Sequence, residues 1–472
     1  MDERPEPLIQ HQFHPTILRA YDIRGIVGET LHDKDAYMIG LGFAATLRQR
    51  GGSSVAIGRD GRLSSPDLSA ALARGLVDGG MTVTDIGTGP TPKLYFADIT
   101  LNCDGAIQVT GSHNPPSHNG FKMVLGHKPF FGEDITALGR LMAEGVAPGV
   151  GGSLKEVDLQ ADYVNSLISA AGDLADLAGM TVVWDCGNGA AGPSTLEVTS
   201  RLAGNHHVMF PEIDGTFPNH HPDPVDPATL DQLRAAVTQH HAVMGIGFDG
   251  DGDRIGVIDA KGRQVPGDLL TAYLARHSVR ENAAADVIFD VKSSLTALDV
   301  VAGLGGTPSL WKTGHSHMKM KLKETGAPIA GEMSGHIFIA DRYFGFDDAI
   351  FAALAVLREM VVSGETITAF IDSLPDVYAT PELRIACDDE RKFGIVEKVI
   401  ADVTAAPDPD TSDIADMDGI RVTGALGWWL IRASNTGAEL VARAEGRDEA
   451  ARDTLKTRIR ARLADAGLDW TG

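Results

Sequence analysis

Short apolar runs that stop at glycine and polar clusters recur through the first three quarters of the chain. Ser54–Arg59 (SVAIGR), Ala106–Thr110 (AIQVT), Thr181–Asp185 (TVVWD) and Val287–Val291 (VIFDV) are each too short for a helix and end in a loop, so each predicts a buried strand. Between them lie stretches of helical spacing. In Asp67–Gly79, Leu68, Ala71, Leu72 and Leu76 fall on one face. Strand, loop, helix, strand predicts α/β layers with mostly parallel sheets and ligands gathered at the carboxyl ends of strands. Three segments share this style, with polar strand ends GRDGR (Gly58–Arg62), DCGNGA (Asp185–Ala190) and DVKSS (Asp290–Ser294). The tail differs. Gly419–Val422, Gly427–Arg432 and Glu439–Ala444 read as three short strands, and Leu455, Ile459 and Leu463 then mark one face of a helix, which predicts a smaller α+β domain. Seams are expected near Ala147–Gly152, Ala260–Arg263 and Leu374–Pro381, giving units 1–155, 156–261, 262–375 and 376–472.

Composition narrows the function. The 472 residues carry 43% hydrophobic and 22% charged residues, ordinary globular usage. Lys and Arg number 41 against 64 Asp and Glu, a formal charge of −23, which disfavours nucleic acid and anionic membrane surfaces as partners. An anionic substrate would then need positive charge concentrated in a cleft. Cys103, Cys186 and Cys387 are far apart and lack CxxC spacing, so no disulfide framework or zinc cluster is indicated. The paired histidines (His206/His207, His220/His221, His240/His241, His315/His317) accompany no Cys pair and no HExxH helix. With no secretory leader pattern and no long apolar run, a cytoplasmic protein is expected; oligomeric state is not indicated.

Four segments could carry chemistry. Thr110–Pro115 (TGSHNP) places Ser112 on a tight turn after a strand, although a turn alone would use the same residues. Gly245–Arg254 (GIGFDGDGDR) sets Asp249, Asp251 and Asp253 at alternate positions between glycines, able to fold around a hard divalent cation. It fails the EF-hand pattern, and its acidic residues do not suit a pyrophosphate-binding GxGxxG. Gly331–His336 (GEMSGH) offers Glu332, Ser334 and His336, residue types that bind sugar hydroxyls and move protons; a glycine-flanked surface loop fits it too. Arg432–Gly437 (RASNTG) suits a phosphate or a hairpin turn equally.

Taken in order, with RAYDIRG (Arg19–Gly25), NGFK (Asn119–Lys122) and KTGH (Lys312–His315), these segments resemble the α-D-phosphohexomutase family, most closely its phosphomannomutase/phosphoglucomutase branch. The resemblance spans almost the whole chain. It implies three related α/β domains with mixed sheets and a smaller C-terminal α+β domain that closes a central cleft. It further implies that Ser112 is a phosphoserine and that Ser112, Asp249, Asp251 and Asp253 surround Mg2+. Arg24, Lys122 and His336 would handle protons, and Arg254 would add positive charge. Glu332 and Ser334 would grip the 3- and 4-hydroxyls, while Tyr21, Lys292, His315 and Tyr343 fall on substrate contacts. Arg432, Ser434, Asn435 and Thr436 would clamp the non-reacting phosphate. The implied reaction interconverts hexose 6-phosphate and hexose 1-phosphate, of mannose or glucose, through a 1,6-bisphosphate. Glucose 1,6-bisphosphate or mannose 1,6-bisphosphate would act as activator.

The sequence departs from the family pattern at Gly437, where a second hydroxyl residue is common, and at Tyr343, where Trp is common. Both are expected to tune affinity. Alternatives are a phosphoglucosamine mutase, disfavoured because Met333 replaces a typical Gln, and a non-catalytic sugar-phosphate binder, disfavoured because Ser112 and the three carboxylates are intact. A phosphoaspartate phosphatase would need DxDx[TV], and Asp251–Ile255 lacks it.

Overall fold

The computed structural model describes residues 8–434 and 437–470. Strands β1 (Ile23–Ile26), β2 (Ser54–Arg59), β3 (Thr82–Thr88), β4 (Gly105–Val109), β5 (His118–Leu125), β6 (Lys128–Pro129) and β7 (Ser153–Glu156) form the first sheet, ordered β1-β5-β4-β2-β3-β7 with β6 beside β5. Its β4, β2, β3 and β7 run parallel, and β5 returns antiparallel to β4. Helices Asp33–Gln49 and Ser65–Asp78 cross closely because both crossing points are glycine: a Cβ on Gly75 would lie 2.0 Å from the Tyr37 carbonyl oxygen, and one on Gly40 2.4 Å from that of Leu72.

The second sheet holds β8 (Thr181–Asp185), β9 (Asn205–Met209), β10 (Met244–Phe248), β11 (Ile255–Asp259) and β12 (Gln264–Val265), ordered β12-β11-β10-β8-β9. The third holds β13 (Asp286–Asp290), β14 (Thr307–Trp311), β15 (Ile329–Gly331) and β16 (Ile337–Ile339), ordered β14-β13-β15-β16. Each repeats the plan of the first: parallel strands, then one hairpin (β10/β11, β15/β16) that turns back antiparallel. The turn at 260–263, expected as a seam, joins β11 to β12, so the second sheet continues to Val265.

These three units share one core. Leu94 and Ala106 of the first, Trp184 and Phe248 of the second, and Phe289 and Ile329 of the third belong to a single buried cluster. Helix Ala349–Ser363 runs through it, buried on nearly every side over its first nine residues, as a helix apolar all round must be.

The fourth sheet is antiparallel. It comprises β17 (Tyr378–Ala379), β18 (Leu383–Ala386), β19 (Thr411–Ala415), β20 (Ile420–Gly424), β21 (Gly427–Ala433) and β22 (Glu439–Gly446), ordered β17-β22-β21-β20-β19 with β18 also on β22. Helices Asp389–Ala405 and Glu449–Asp465 complete a separate core with it. The tail thus gains a helix and three strands ahead of the three strands expected; β19 is polar and largely exposed, so no apolar alternation announces it. Along β21 the period of two divides the residues: Trp429 and Ile431 enter the tail core, whereas Trp428 and Leu430 meet Val291 of the third unit. Among the described residues no helix is long and apolar enough to cross a membrane.

Candidate active site

The first three loops singled out in the sequence occupy equivalent places in the first three units. TGSHNP lies in the β4/β5 connection, the Asp249–Arg254 loop in β10/β11, and Glu332–His336 in β15/β16. Because the three sheets share a core, these hairpin ends converge.

Ser112 sits at φ +48°, a left-handed conformation that a non-glycine residue holds only when its surroundings enforce it. Its Oγ–H donates to Asp249 Oδ2 at 2.8 Å, and its N–H to Thr110 Oγ1 at 2.9 Å. The acidic loop presses against it: a Cβ on Gly250 would lie 2.5 Å from the Ser112 carbonyl oxygen, so glycine is required there. Asp249, Asp251 and Asp253 are fully buried, with ligand atoms all within 4.8 Å of one another. Burial and the two neighbouring carboxylates push Asp249 well above the usual carboxylate range, and burial with Asp251 also raises Asp253. Asp251 moves the other way. Burial opposes its charge, but the Lys122 ammonium and the hydrogen bonds from Lys122, Thr91 and Asp249 together outweigh burial and hold the carboxyl below its ordinary range. Lys122 Nζ donates to Asp251 Oδ2 at 2.7 Å and also to Asp253, and these carboxylates keep it protonated despite its burial. Asp251 Oδ1 and Asp253 Oδ1 are buried without a hydrogen-bond partner. Unpaired oxygens in a cluster of repelling carboxylates fit a hard divalent cation.

Arg24 reaches the same loop, donating from Nη1 to the Gly111 carbonyl at 3.0 Å and Asn114 Oδ1 at 2.7 Å, with Asp22 against Nη2. Arg254 Nε donates to His336 Nε2 at 2.9 Å; His336 Nδ1 lies 3.0 Å from Asp347 Oδ2, and Lys319 anchors the other oxygen of Asp347. Asp347 was not singled out by the sequence, where its only mark is an Asp-Asp pair before an apolar helix. Thr91 was missed too: its N–H donates to the Asp251 carbonyl at 2.8 Å and its hydroxyl to the Asp251 carboxylate.

Beside these groups opens a cleft of roughly 530 Å3, lined from all four units. It brings together Tyr21, Arg254, Lys292, His315, Glu332, Ser334, His336, Arg432 and Ser434. Burial raises Glu332, whose Oε1 accepts the Gly314 N–H, and burial with Lys319 holds His315 well below the usual imidazole range. Arg432 Nε donates to Asp418 Oδ2 at 3.0 Å, and the same oxygen accepts the Thr313 N–H at 3.0 Å. Asn435 and Thr436 lie outside the described residues. Lys122 lines a second cavity of roughly 450 Å3 between the first and third units, behind Tyr21 and His315.

Tyr343 is not brought to the cleft. Its ring stacks on Phe351 with centroids 4.1 Å apart, and its hydroxyl donates to Asp348 Oδ2 at 3.1 Å. It packs against the shared core, where an aromatic ring beside a buried helix is better placed than in a polar cleft.

Comparison with known proteins gives four family-model matches that tile the chain. They are phosphoglucomutase/phosphomannomutase alpha/beta/alpha domains I, II and III over residues 15–144, 161–262 and 266–378, and the C-terminal domain over 382–462. A phosphomannomutase/phosphoglucomutase of Pseudomonas aeruginosa is 42% identical over 449 residues, covering 95% of each chain. A phosphoglucomutase of Neisseria meningitidis is 39% identical over 459 residues, covering 96% of this chain and 98% of its own. Among solved structures, a phosphoglucomutase/phosphomannomutase family protein of Burkholderia thailandensis superposes with TM-score 0.88 at 37% identity, over 97% of this chain and 98% of its own.

Proposed function

The chain belongs to the phosphoglucomutase/phosphomannomutase family, and from that premise we propose how its cleft moves a phosphoryl group between the 6- and 1-positions of a hexose. It is a phosphohexomutase, an isomerase of carbohydrate metabolism. The substrates are the phosphates of glucose and mannose, a reading supported by the names of relatives at 39–42% identity.

Ser112 is the phosphoryl carrier. The observation that carries this reading is its Oγ, 2.8 Å from a carboxylate of the buried acidic triad and beside a four-sided cleft. A phosphoserine there bears about −1.5 to −2 charges, which Arg24 and Lys122 offset locally in a strongly acidic protein. Asp249, Asp251 and Asp253, with the phosphoserine, hold the divalent cation, Mg2+ in this reading. Bound there, it neutralises phosphoryl oxygens and favours in-line attack at phosphorus.

Glu332 and Ser334 hold two sugar hydroxyls, and Arg432 with Ser434, Asn435 and Thr436 clamps the phosphate already on the sugar. The free sugar hydroxyl attacks phosphorus; its new P–O bond forms as the bond to Ser112 Oγ breaks. The hydroxyl proton goes to a base in the cleft. Lys122 is an ammonium while Asp251 and Asp253 hold it, and becomes available for proton handling where a divalent ion takes those carboxylates. His336 is the favoured acceptor: Nδ1 faces Asp347, so its Nε2 lone pair points toward Arg254 and the cleft. A phosphate oxygen that draws the Arg254 guanidinium aside releases that lone pair. The resulting 1,6-bisphosphate turns over, and its other phosphate returns to Ser112. A free hexose 1,6-bisphosphate re-enters the cycle by the same route, which accounts for its role as activator.

Ser112→Ala tests the reading. Turnover is expected to fall by orders of magnitude with the fold retained, and intact-mass spectrometry of wild type to show about 80 Da of added phosphate. Near-normal activity in the alanine variant would sink the assignment.

A further inference from the structure

The GRDGR segment at the end of β2 has no part in the reaction as derived, yet its last residue is among the largest fully buried side chains. The Arg62 guanidinium is surrounded by backbone carbonyls of the Ser112 loop. Nη2 donates to Ser112 O and Asn114 O, both at 2.6 Å, and Nη1 to Pro115 O at 2.7 Å and His118 O at 2.9 Å. Asp60 lies 3.2 Å from Nε and ties the other end of the loop, accepting Thr110 Oγ–H at 2.8 Å and Gly111 N–H at 3.1 Å. Carbonyl dipoles converging in this way repel one another unless a multivalent donor sits between them. A guanidinium carries five N–H groups in a fixed plane, whereas an ammonium concentrates three at one point. Gly111 fits the arrangement, since a Cβ there would lie 2.4 Å from Arg62 Cζ.

Arg62 is also covered from the second unit. The Phe217 ring stands 5.4 Å from Arg62 Cζ, and a Cβ on Gly215 would come within 2.7 Å of Arg62 Cα. One guanidinium therefore fixes the loop of Ser112 and also keys it to the unit that supplies Asp249, Asp251 and Asp253. Arg62 does not line the cleft.

We propose that Arg62 is a positioning residue, which holds Ser112 in its left-handed conformation and in register with the acidic triad by gathering the loop carbonyls under Phe217. The proposal rests on the reading of Ser112 as phosphoryl carrier. Displacement of a reacting group by about 1 Å is enough for a hundredfold loss of rate. Because the sugar and phosphate contacts are elsewhere, that loss belongs in kcat.

The test uses the full chain with Arg62→Lys, Arg62→Ala and Phe217→Leu, assayed on glucose 1-phosphate. Arg62→Lys should lower kcat about a hundredfold, with KM within a few-fold of wild type. Millimolar guanidinium should raise kcat of Arg62→Ala and leave wild type unchanged. Phe217→Leu, which keeps an apolar cover without a ring face, should lower kcat several-fold at unaltered KM. It also keeps the proposal testable if Arg62→Ala does not fold. A purely structural Arg62 would lower the melting temperature of its variants without separating kcat from KM and without guanidinium rescue; that pattern overturns the proposal. So does a near-normal kcat in Arg62→Lys while wild type carries phosphate on Ser112. Absence of phosphate from wild-type Ser112 would instead overturn the carrier reading, whatever Arg62 does.

Discussion

Asp249, Asp251 and Asp253 lie fully buried with ligand atoms within 4.8 Å of one another, so their repulsion has to be met by protons or by cations. Lys122 meets part of it by bonding Asp251 and Asp253, while Asp249 turns to the Ser112 hydroxyl. A divalent ion entering the triad would take over that task and loosen the hold on Lys122. Asp253→Asn keeps the volume and removes one charge, at a cost of about 1.5–3 kcal/mol of charge-assisted ligation. That corresponds to roughly a ten- to hundredfold rise in the Mg2+ needed for half-maximal activity. A titration of activity in metal-buffered solution measures it. Full wild-type activity after exhaustive chelation would remove the triad from the reaction. At this scale the carboxylates and Ser112 were legible because their spacing is local. Asp347, Thr91 and the grip of Arg62 were not, since each acts on a residue that only the fold brings near.

The strands SVAIGR, TVVWD and VIFDV were legible as elements because buried parallel strands read as unbroken apolar runs. Their polar ends suggested three related units. The deeper equivalence, that each unit places its chemistry in the antiparallel hairpin of its sheet, has no counterpart in local composition, since TGSHNP, DGDGDR and GEMSGH share little beyond glycine. Helix Ala349–Ser363 links these units, and its N-terminus supplies a test. Asp348 Oδ1 accepts the Phe351 N–H at 2.9 Å, and Oδ2 accepts the hydroxyls of Tyr163 and Tyr343 at 2.9 and 3.1 Å. Burial pushes Asp348 up to about 6, in spite of these donors. A carboxyl raised on folding contributes stability that is full at acid pH, below its ordinary value, and is lost as pH climbs through 6. Asp348→Asn does not titrate: its single amide oxygen can still accept the Phe351 N–H, and the Tyr163 and Tyr343 hydroxyls can rotate to accept from its NH2. Measured by thermal unfolding, the variant should gain on wild type between roughly pH 4 and 6, by at most about 3 kcal/mol, and hold that gain above. A difference that stays flat across this range would show that Asp348 ionises in place without penalty.

Across the whole molecule, a chain of formal charge −23 gathers Arg254, Lys292 and Arg432 around one cleft, the local positive field that an anionic sugar requires. The first three units are locked by their common core, whereas the fourth keeps its own and meets the third through a small apolar cluster, Trp428 and Leu430 on Val291. Polar groups flank that cluster: Arg421 donates to the carbonyls of Val291 and Ser293, and Glu445 accepts from Ser294. A domain attached in this way can move at the cost of one small apolar cluster, leaving both larger cores intact. At the cleft edge, Asp418 accepts from both Thr313 N–H and Arg432 Nε, so one carboxylate ties Arg432 to the third unit. A substrate phosphate on Arg432 would strengthen that closure and stabilise the closed arrangement by its own charge. Arg432→Lys tests this coupling, because it keeps the charge and loses the planar fork that can serve Asp418 and a phosphate together. The expected loss is roughly 1–3 kcal/mol of charge-assisted hydrogen bonding, seen as a KM raised about five- to a hundredfold. The bisphosphate must turn over while the clamp is loosened, so the variant should also release more of it and depend more on added glucose 1,6-bisphosphate. Steady-state kinetics with and without that compound, together with a count of bisphosphate in solution per turnover, reads both effects. If KM and the bisphosphate requirement both stay at wild-type values, Arg432 does not hold the phosphate, and closure of the fourth unit must be driven from elsewhere.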